Sequence, residues 1–266
     1  MGNEVKQELF IIKIGGNIID DKGKLKSFLT EFSSIAGKKV LVHGGGKKAT
    51  KLAVSLGIEQ KMIDGRRITD EKTLEIVTMV YAGEINKQIV ALLQSNQCQA
   101  LGISGADGNL IQAHKRIHAS IDYGFAGDID KINDELLVLL IEKGYVPVIA
   151  SITHDKNGQL LNTNADTIAQ EVAKALAEHY EVHLIYSFEK SGVLLNVDDE
   201  KSVIAQLEPI SYAKLKAEQK IFAGMIPKLD NAFEALQQGV KEVTIGNAEE
   251  LKRLISHSSG TKISNG

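Results

Sequence analysis

Runs of apolar residues alternate with helical patterns along nearly the whole chain. The apolar runs predict strands at 9–14, 39–43, 99–103, 110–113, 145–149, 182–187, 192–195 and 241–245. Apolar residues at helical spacing predict helices near 24–36, 47–56, 70–96, 130–143, 165–178, 211–217, 228–238 and 248–255. Because the strands are continuously apolar, the sheet they form should be covered on both faces. The alternation of strands and helices therefore predicts an α/β fold with a mainly parallel central sheet.

Local patterns add three expectations to this outline. Asn157-Gly158 is typical of a tight turn and predicts a hairpin. The longest predicted helix, 70–96, carries a core-facing stripe, and its length leaves room for a second role in a subunit interface. The tail 256–266 is polar and rich in glycine and serine, so it is predicted to fray.

Glycines follow two of the predicted strands directly. Gly15 and Gly16 follow the first strand, and Gly44, Gly45 and Gly46 follow the second. Glycine lets the backbone turn sharply and approach a ligand, and the free N–H groups of a following helix favour an anion. Neither stretch fits a standard phosphate-loop pattern, and a tight strand-to-helix turn explains each one alone. Two such strand ends nevertheless suggest a single site to which both contribute.

Three charged residues lie at element boundaries. Lys13 interrupts an apolar strand, where a lysine is costly unless it is paired with an anion. Asp166 lies where a helix begins and could cap it or orient a cation. Lys228 follows Pro227 in a first helical turn, where a cation opposes the helix dipole. Each residue also has a purely structural explanation. Lys13 could lie on a strand edge, Asp166 could cap a helix, and Lys228 could be a solvated lysine. Together these residues and the glycine turns are what phosphoryl transfer requires.

Composition narrows the classes of partner. The 266 residues are 43% hydrophobic, which is enough for a large core in one domain or two lobes. The net charge of −3 lacks the basic excess of a nucleic-acid binder. Cys98 is the only cysteine, so an internal disulfide is excluded and a cytoplasmic location is expected. The apolar run 136–141 is too short to span a bilayer, so no membrane partner is expected.

The chain resembles the amino acid kinase family over about residues 10–255. Five motifs carry the resemblance, in matching order and spacing: Ile12-Lys13-Ile14-Gly15-Gly16, Val42-His43-Gly44-Gly45-Gly46, Gly65-Arg66-Arg67-Ile68-Thr69, Asn162-Thr163-Asn164-Ala165-Asp166 and Gly224-Met225-Ile226-Pro227-Lys228. Within the family the chain is similar to the kinases of N-acylated glutamate.

The resemblance implies a three-layer αβα sandwich with two lobes and one continuous sheet. The lobe 1–178 would bind the acylated amino acid, and the lobe 179–266 would bind ATP. The implied reaction is ATP-dependent phosphorylation of the side-chain carboxylate of N-acetyl- or N-succinyl-L-glutamate in arginine biosynthesis. Mg²⁺ would bridge the ATP phosphates, with few protein ligands of its own. The alternatives are another family member, acting on aspartate, glutamate or carbamate, or a non-catalytic nucleotide or amino-acid sensor.

The resemblance also assigns roles to individual residues. Lys13 and Lys228 would stabilise the transferring phosphoryl group, and Asp166 would organise both lysines. The implied substrate-binding residues are Gly45, Gly46, Arg67 and Asn162, and the implied nucleotide-binding residues are Gly15, Gly16 and Gly192. The fork of Arg67 suits a carboxylate of the substrate.

One segment departs from the family pattern. The family usually has an aspartate where this chain has Tyr186-Ser187-Phe188-Glu189-Lys190. Glu189 or Lys190 is expected to replace its contacts with the nucleotide. The segment 188–190 is also similar to that of the kinases in bacteria whose arginine pathway uses succinylated intermediates.

Two further expectations concern specificity and assembly. A succinyl group has an additional carboxylate, for which Arg66, Lys47 and Lys48 are the candidate cations, although all three could equally be solvated surface charges.

In the family, arginine-inhibited hexamers carry an extra N-terminal helix, and only residues 1–8 precede the first strand here. A homodimer that uses the 70–96 helix as its contact is therefore expected.

Overall fold

The computed structural model describes residues 6–63, 65–196, 198–221 and 225–266. Its strands are β1 (Glu8–Ile14), β2 (Lys38–His43), β3 (Met62–Ile63), β4 (Arg66–Arg67), β5 (Ala100–Ile103), β6 (Ile111–Lys115), β7 (Gly127–Ile132), β8 (Val146–Ala150), β9 (Ile152–His154), β10 (Leu160–Asn162), β11 (Glu181–Phe188), β12 (Gln206–Leu207), β13 (Glu242–Asn247) and β14 (Thr261–Ile263). Its α-helices are α1 (Gly16–Ile19), α2 (Lys22–Ser33), α3 (Gly46–Ser55), α4 (Glu71–Thr78), α5 (Asn86–Ser95), α6 (Asp134–Glu142), α7 (Ala165–Leu176), α8 (Pro209–Ala217), α9 (Ile226–Gln237) and α10 (Leu251–Ile255). Gly224, from the last sequence motif, lies outside the described residues.

The central sheet has eight strands in the order β12-β14-β13-β11-β1-β2-β8-β5. Every neighbouring pair is parallel except β13 and β14. The predicted α/β fold with a mainly parallel sheet is thus confirmed. Because the inner strands are parallel, their carboxyl ends lie along one edge of the sheet.

Helices cover both faces of this sheet. Successive side chains of β1 enter opposite cores: Leu9 and Ile11 join the core under α6, α7 and α9, whereas Phe10 and Ile12 join the core under α2, α3 and α5. Continuous apolar strands are what burial on two faces requires. The molecule is therefore a three-layer αβα sandwich, as the family resemblance implied.

A smaller sheet of order β10-β9-β6-β7 adjoins the sandwich. Its strands β9 and β10 form the antiparallel hairpin that Asn157-Gly158 predicted. The Asp155 carboxylate accepts hydrogen bonds from the backbone N–H groups of Asn157 and Gln159, which fixes the turn. The hairpin leads directly into α7.

Three local expectations were wrong. Residues 130–132 belong to β7 rather than to a helix, and α6 begins only after Asn133, whose side chain caps it. Residues 192–195 form one isolated bridge, between Leu194 and Val203, instead of a strand. The tail contains β14, paired antiparallel with β13, so this part does not fray. The side chains of Thr261 and Ile263 are fully buried there, which the polar composition of the tail conceals.

The long predicted helix is continuous from Glu71 to Ser95, with a π-helical segment, Met79–Ile85, between α4 and α5. By length and composition alone it could cross a membrane. One face is buried in the core, through Val77, Tyr81 and Ile85 among others. We interpret it as a core helix.

Candidate functional site

A cleft of about 210 Å³ opens where the carboxyl ends of β1 and β2 meet the β3–β4 hairpin and the start of α7. In open α/β sheets, ligands bind at this edge. Seven of the ten residues assigned from the sequence line the cleft: Lys13, Gly16, Gly45, Gly46, Arg67, Asn162 and Asp166. They come from four separate parts of the chain, and the sheet topology brings them together.

The first turn of α7 presents Asp166 to the cleft. The helix cap is Asn164, whose side-chain oxygen accepts hydrogen bonds from the N–H groups of Asp166 and Thr167 at 2.8 and 3.3 Å. The carboxylate of Asp166 is therefore not consumed in capping. It lies 2.8 Å from the Nζ atom of Lys13 and 3.5 Å from that of Lys228.

Charge balance in this cluster favours an anionic ligand. Burial would raise the pKa of the Asp166 carboxyl, but the charges of Lys13 and Lys228 outweigh burial and lower that pKa to about 2. Asp166 is thus ionised at neutral pH. One carboxylate faces two ammonium groups, which leaves the cluster with a net positive charge beside the cleft.

Lys228 reaches the cluster from the first turn of α9, with Pro227 beside it at the helix start. Its Nζ atom also lies 5.2 Å from the centre of the Phe188 ring, within range of a cation–π interaction. Phe188 ends β11, in the segment that departs from the family pattern. Lys190 is held 2.6 Å from Glu200, and Glu189 is exposed.

The glycine turn after β2 is packed against the π-helical segment. Gly45 leaves no space for a side chain, because a Cβ atom there would overlap with Ile85 and would lie 2.9 Å from Cδ1 of Tyr81. Helix α3 begins at Gly46, so its free N–H groups face the cleft. The turn therefore presents backbone donors at a fixed position.

His43 stabilises this turn by a hydrogen bond to its backbone. Its Nδ1 donates to the carbonyl oxygen of Gly44 at 2.9 Å, and its Nε2 accepts from the side-chain amide of Asn86 at 3.0 Å. Burial lowers the pKa of His43 to about 4, so the ring is neutral at physiological pH and keeps both bonds.

Arg67 and Asn162 close the other side of the cleft. Arg67 is 7% exposed and donates to the carbonyl oxygen of Gly46 at 2.8 Å and to Oγ1 of Thr50 at 2.9 Å. Asn162 ends β10, and its amide donates to Oγ1 of Thr69 at 3.0 Å. A guanidinium held in this way can bind a carboxylate at the rim of the cleft.

The structure separates the three glycines assigned to the nucleotide. Gly16 lines the cleft. Gly15 does not line the cleft, and a Cβ atom there would come within 3.0 Å of the Ser187 carbonyl oxygen. Gly192 is packed against Thr261 and Val203 and does not line the cleft, so close packing also accounts for a glycine there.

The three candidate cations for a succinyl group differ in position. Arg66 lines the cleft. Lys48 is paired with Glu84 at 2.6 Å, and Lys47 contacts the side-chain oxygen of Asn17. Only Arg66 of the three lies in the cleft.

Sequence reasoning overlooked several residues of the site. Tyr81 and Ser151 line the cleft, and the Tyr186 hydroxyl donates to the backbone oxygen of Asp166 at 3.2 Å. Both tyrosines lie in apolar stripes, where they resemble ordinary core residues. His43 belongs to one of the five family motifs, but the sequence assigned it no role. Its position, as a polar side chain at the end of an apolar strand, could have indicated one.

Comparisons with known proteins point to one family. The model of the amino acid kinase family matches residues 8–247. An acetylglutamate kinase of Cytophaga hutchinsonii is 53% identical over 97% of this chain and 98% of its own length. An acetylglutamate kinase of Parabacteroides distasonis is 52% identical over 97% of this chain and 99% of its own length. A crystal structure from Streptococcus mutans UA159 superposes with a TM-score of 0.77 at 28% identity, covering 97% of this chain and 99% of that chain.

Proposed function

Since the chain belongs to the amino acid kinase family, we propose that it transfers the γ-phosphoryl group of ATP to the side-chain carboxylate of N-acetyl-L-glutamate, in arginine biosynthesis. One observation carries the proposal: the cluster of Lys13, Asp166 and Lys228 lies beside a cleft that a glycine turn and Arg67 also line. The names of the relatives from C. hutchinsonii and P. distasonis support the acceptor.

The geometry suits an in-line transfer between two anions, the phosphate of ATP and the carboxylate of the acceptor. A carboxylate oxygen of the acceptor attacks the γ-phosphorus, and the bond from that phosphorus to the β–γ bridging oxygen breaks, which releases ADP and leaves an acyl phosphate. The attacking carboxylate is already ionised, so no general base is needed. The protein's task is to position the two anions and to offset their charge.

Each part of the cleft has a place in this reaction. Lys13 and Lys228 offset the charge on the transferring group, and Asp166 holds both ammonium groups at 2.8 and 3.5 Å. The N–H groups of Gly45 and Gly46 bind an anionic oxygen at the start of α3. Arg67 and Asn162 bind the rest of the acceptor, and Gly15, Gly16 and Gly192 belong to the nucleotide side.

Mg²⁺ fits this site as a partner of the ATP phosphates. Asp166 is the one carboxylate among the described residues that line the cleft, and it is already paired with two lysines. The cleft thus offers no separate carboxylate for the ion. Mg²⁺ usually keeps phosphate and water ligands, and it would offset charge on the phosphate oxygens there.

We further propose that residues 1–178 form the lobe that binds the acylated amino acid and residues 179–266 the lobe that binds ATP. Asn162 and Arg67 lie in the first part and Lys228 in the second, so the transferring group would lie at their boundary. We also propose a cytoplasmic location, the default for a chain with a single cysteine.

N-succinyl-L-glutamate is a second candidate acceptor, because Arg66 lines the cleft next to Arg67. The Arg66 guanidinium is half-buried, and burial together with the neighbouring charge of Arg116 lowers the pKa of Arg66. The second carboxylate of a succinyl group would offset the repulsion between Arg66 and Arg116. If succinyl is the natural group, we expect Arg66→Ala to lower kcat/KM for succinylglutamate about ten- to a hundredfold, the scale of one charge-assisted hydrogen bond.

The experiment is an ADP-release assay with N-acetylglutamate, N-succinylglutamate, glutamate, aspartate and carbamate. Lys47→Ala serves as the control, since Lys47 lies outside the cleft. Preference of the wild type for acetylglutamate would eliminate the succinyl candidate. Preference for succinylglutamate, with the same ratio of the two kcat/KM values in Arg66→Ala, would support the substrate and reject the role of Arg66. Preference for a free amino acid or carbamate would indicate another member of the family, and no turnover with any acceptor would indicate a sensor.

We also propose a homodimer. The central sheet ends at β5, where Leu101 is 37% exposed, and Met79 on the adjoining long helix is 56% exposed. An exposed strand edge with apolar side chains favours association with a second copy. Light scattering should give twice the mass of one chain, and Leu101→Glu should shift it towards one. Ile210→Glu, at a residue that is 87% exposed on α8, should leave the mass unchanged. A hexamer, or a monomer at all concentrations, would contradict the proposal.

A further inference from the structure

A second cluster of ionisable side chains lies at the opposite edge of the central sheet from the cleft. Glu8, Glu181 and Glu242 are the first residues of β1, β11 and β13, which are adjacent parallel strands. His183 follows two residues after Glu181, so both side chains point to the same face of β11. The side-chain ligand atoms of Glu8, Glu181 and His183 all lie within 4.8 Å of one another.

The orientation of the His183 ring is fixed by Glu242. Nδ1 of His183 lies 2.8 Å from Oε1 of Glu242, and the ring stacks on Phe10 with centroids 5.1 Å apart. When Nδ1 donates to the Glu242 carboxylate, Nε2 is the ring nitrogen left to offer a lone pair to a metal ion.

That Nε2 atom has no hydrogen-bond partner within the described ranges, although His183 is only 9% exposed. It faces Oε1 of Glu8 at 3.6 Å and Oε1 of Glu181 at 3.9 Å. Both distances are too long for hydrogen bonds. They are close to the separation of about 3.3–3.6 Å between ligands that surround a tetrahedral zinc ion at 2.0–2.2 Å.

We infer that Glu8, Glu181 and His183 bind a divalent transition-metal ion of the zinc type. Imidazole and carboxylate are ligands that such ions accept, and solvent can complete the coordination. Glu242 supports the site as the carboxylate that orients a metal-binding histidine through its other ring nitrogen. Glu8 is exposed and Glu181 is half-buried, which gives the ion a path from solvent.

The ion would join the amino ends of β1 and β11 on the side of the sheet away from the cleft. Its effect is therefore on stability, since a ligand that binds only the folded state raises the unfolding temperature. This site does not depend on the proposed kinase activity, and its test needs no substrate.

The test uses the full chain, treated with a chelator and then titrated at neutral pH with Co²⁺, whose visible absorption reports protein ligands. We expect one equivalent to bind and Zn²⁺ to displace it. His183→Gln and, separately, Glu8→Gln should each weaken binding by at least about tenfold, the scale of losing a group that supports a metal site. Zn²⁺ should raise the unfolding temperature of the wild type and have a smaller effect on both variants.

His179→Gln is the matched control, because His179 contacts a single carboxylate, that of Asp134 at 2.7 Å, and belongs to no metal-like cluster among the described residues. It should bind Co²⁺ as the wild type does. Glu8→Gln changes an exposed side chain, so it keeps the test valid if His183→Gln does not fold. Absence of stoichiometric binding in the wild type would overturn the inference. Equal affinity in the wild type and both variants would overturn it as well.

Discussion

Replacing Lys228 with alanine is expected to lower kcat by at least about a hundredfold, the scale of removing one preorganised charge contact from a transition state. The Nζ atom of Lys228 lies 3.5 Å from Oδ2 of Asp166, whereas that of Lys13 lies 2.8 Å from Oδ1. Its loss leaves one lysine facing one carboxylate, so the net positive charge beside the cleft disappears. The side chain is 33% exposed, so the fold should survive. Steady-state kinetics with ATP and N-acetylglutamate measure the effect.

Lys174→Ala is the matched control for Lys228. Lys174 lies on α7 and also bridges the two helices, through Glu234 of α9 at 3.0 Å, but its carboxylate partners are Glu234 and Glu171 rather than Asp166. Loss of that bridge tests whether any ion pair between the two helices affects turnover. If Lys228→Ala retained nearly the activity of the wild type, or if Lys174→Ala were equally impaired, the catalytic role of Lys228 would be wrong.

The layer architecture could be predicted because burial on two faces leaves a direct mark on strand composition. β1, β2 and β11 are mainly apolar, and each predicted range lies within two residues of the observed bounds. Only residues 130–132 of β7 were assigned to a helix, because they run directly into the apolar helical pattern of α6. β14 has only three residues, and it is a strand because β13 and β12 pair with it. Such pairing is a property of the assembled sheet rather than of the segment.

The residue types of the candidate site could be predicted from the sequence, but the role of each residue could not. Asn164 and Asp166 are both good helix caps by composition, and only the backbone of α7 shows that Asn164 takes the cap and leaves Asp166 to the lysines. Tyr81 could not be distinguished from the core stripe that contains it. Its contact with the Gly45 turn depends on the π-helical segment, which spacing rules for α-helices do not anticipate.

Gly45→Ala is expected to lower kcat/KM by about a hundredfold, because a displacement of about 1 Å in a positioning group can cost that much. A Cβ atom at this position would overlap with Cδ1 of Ile85 and would lie 2.9 Å from Cδ1 of Tyr81. Both side chains are buried within the π-helical segment, so the turn has to move instead. The N–H groups at the start of α3 would then no longer meet the anionic acceptor.

Two further variants separate this displacement from a general loss of stability. Gly83→Ala lies in the same π-helical segment, but its Cβ atom would meet nothing within 4 Å, so it should retain the activity of the wild type. Ile85→Val removes the Cδ1 atom that the new methyl group overlaps, and adding it to Gly45→Ala should restore part of the lost kcat/KM. The contact with Tyr81 remains, so the recovery should be incomplete. If the double variant were no better than Gly45→Ala while both unfolded at the same temperature as the wild type, the steric explanation would fail.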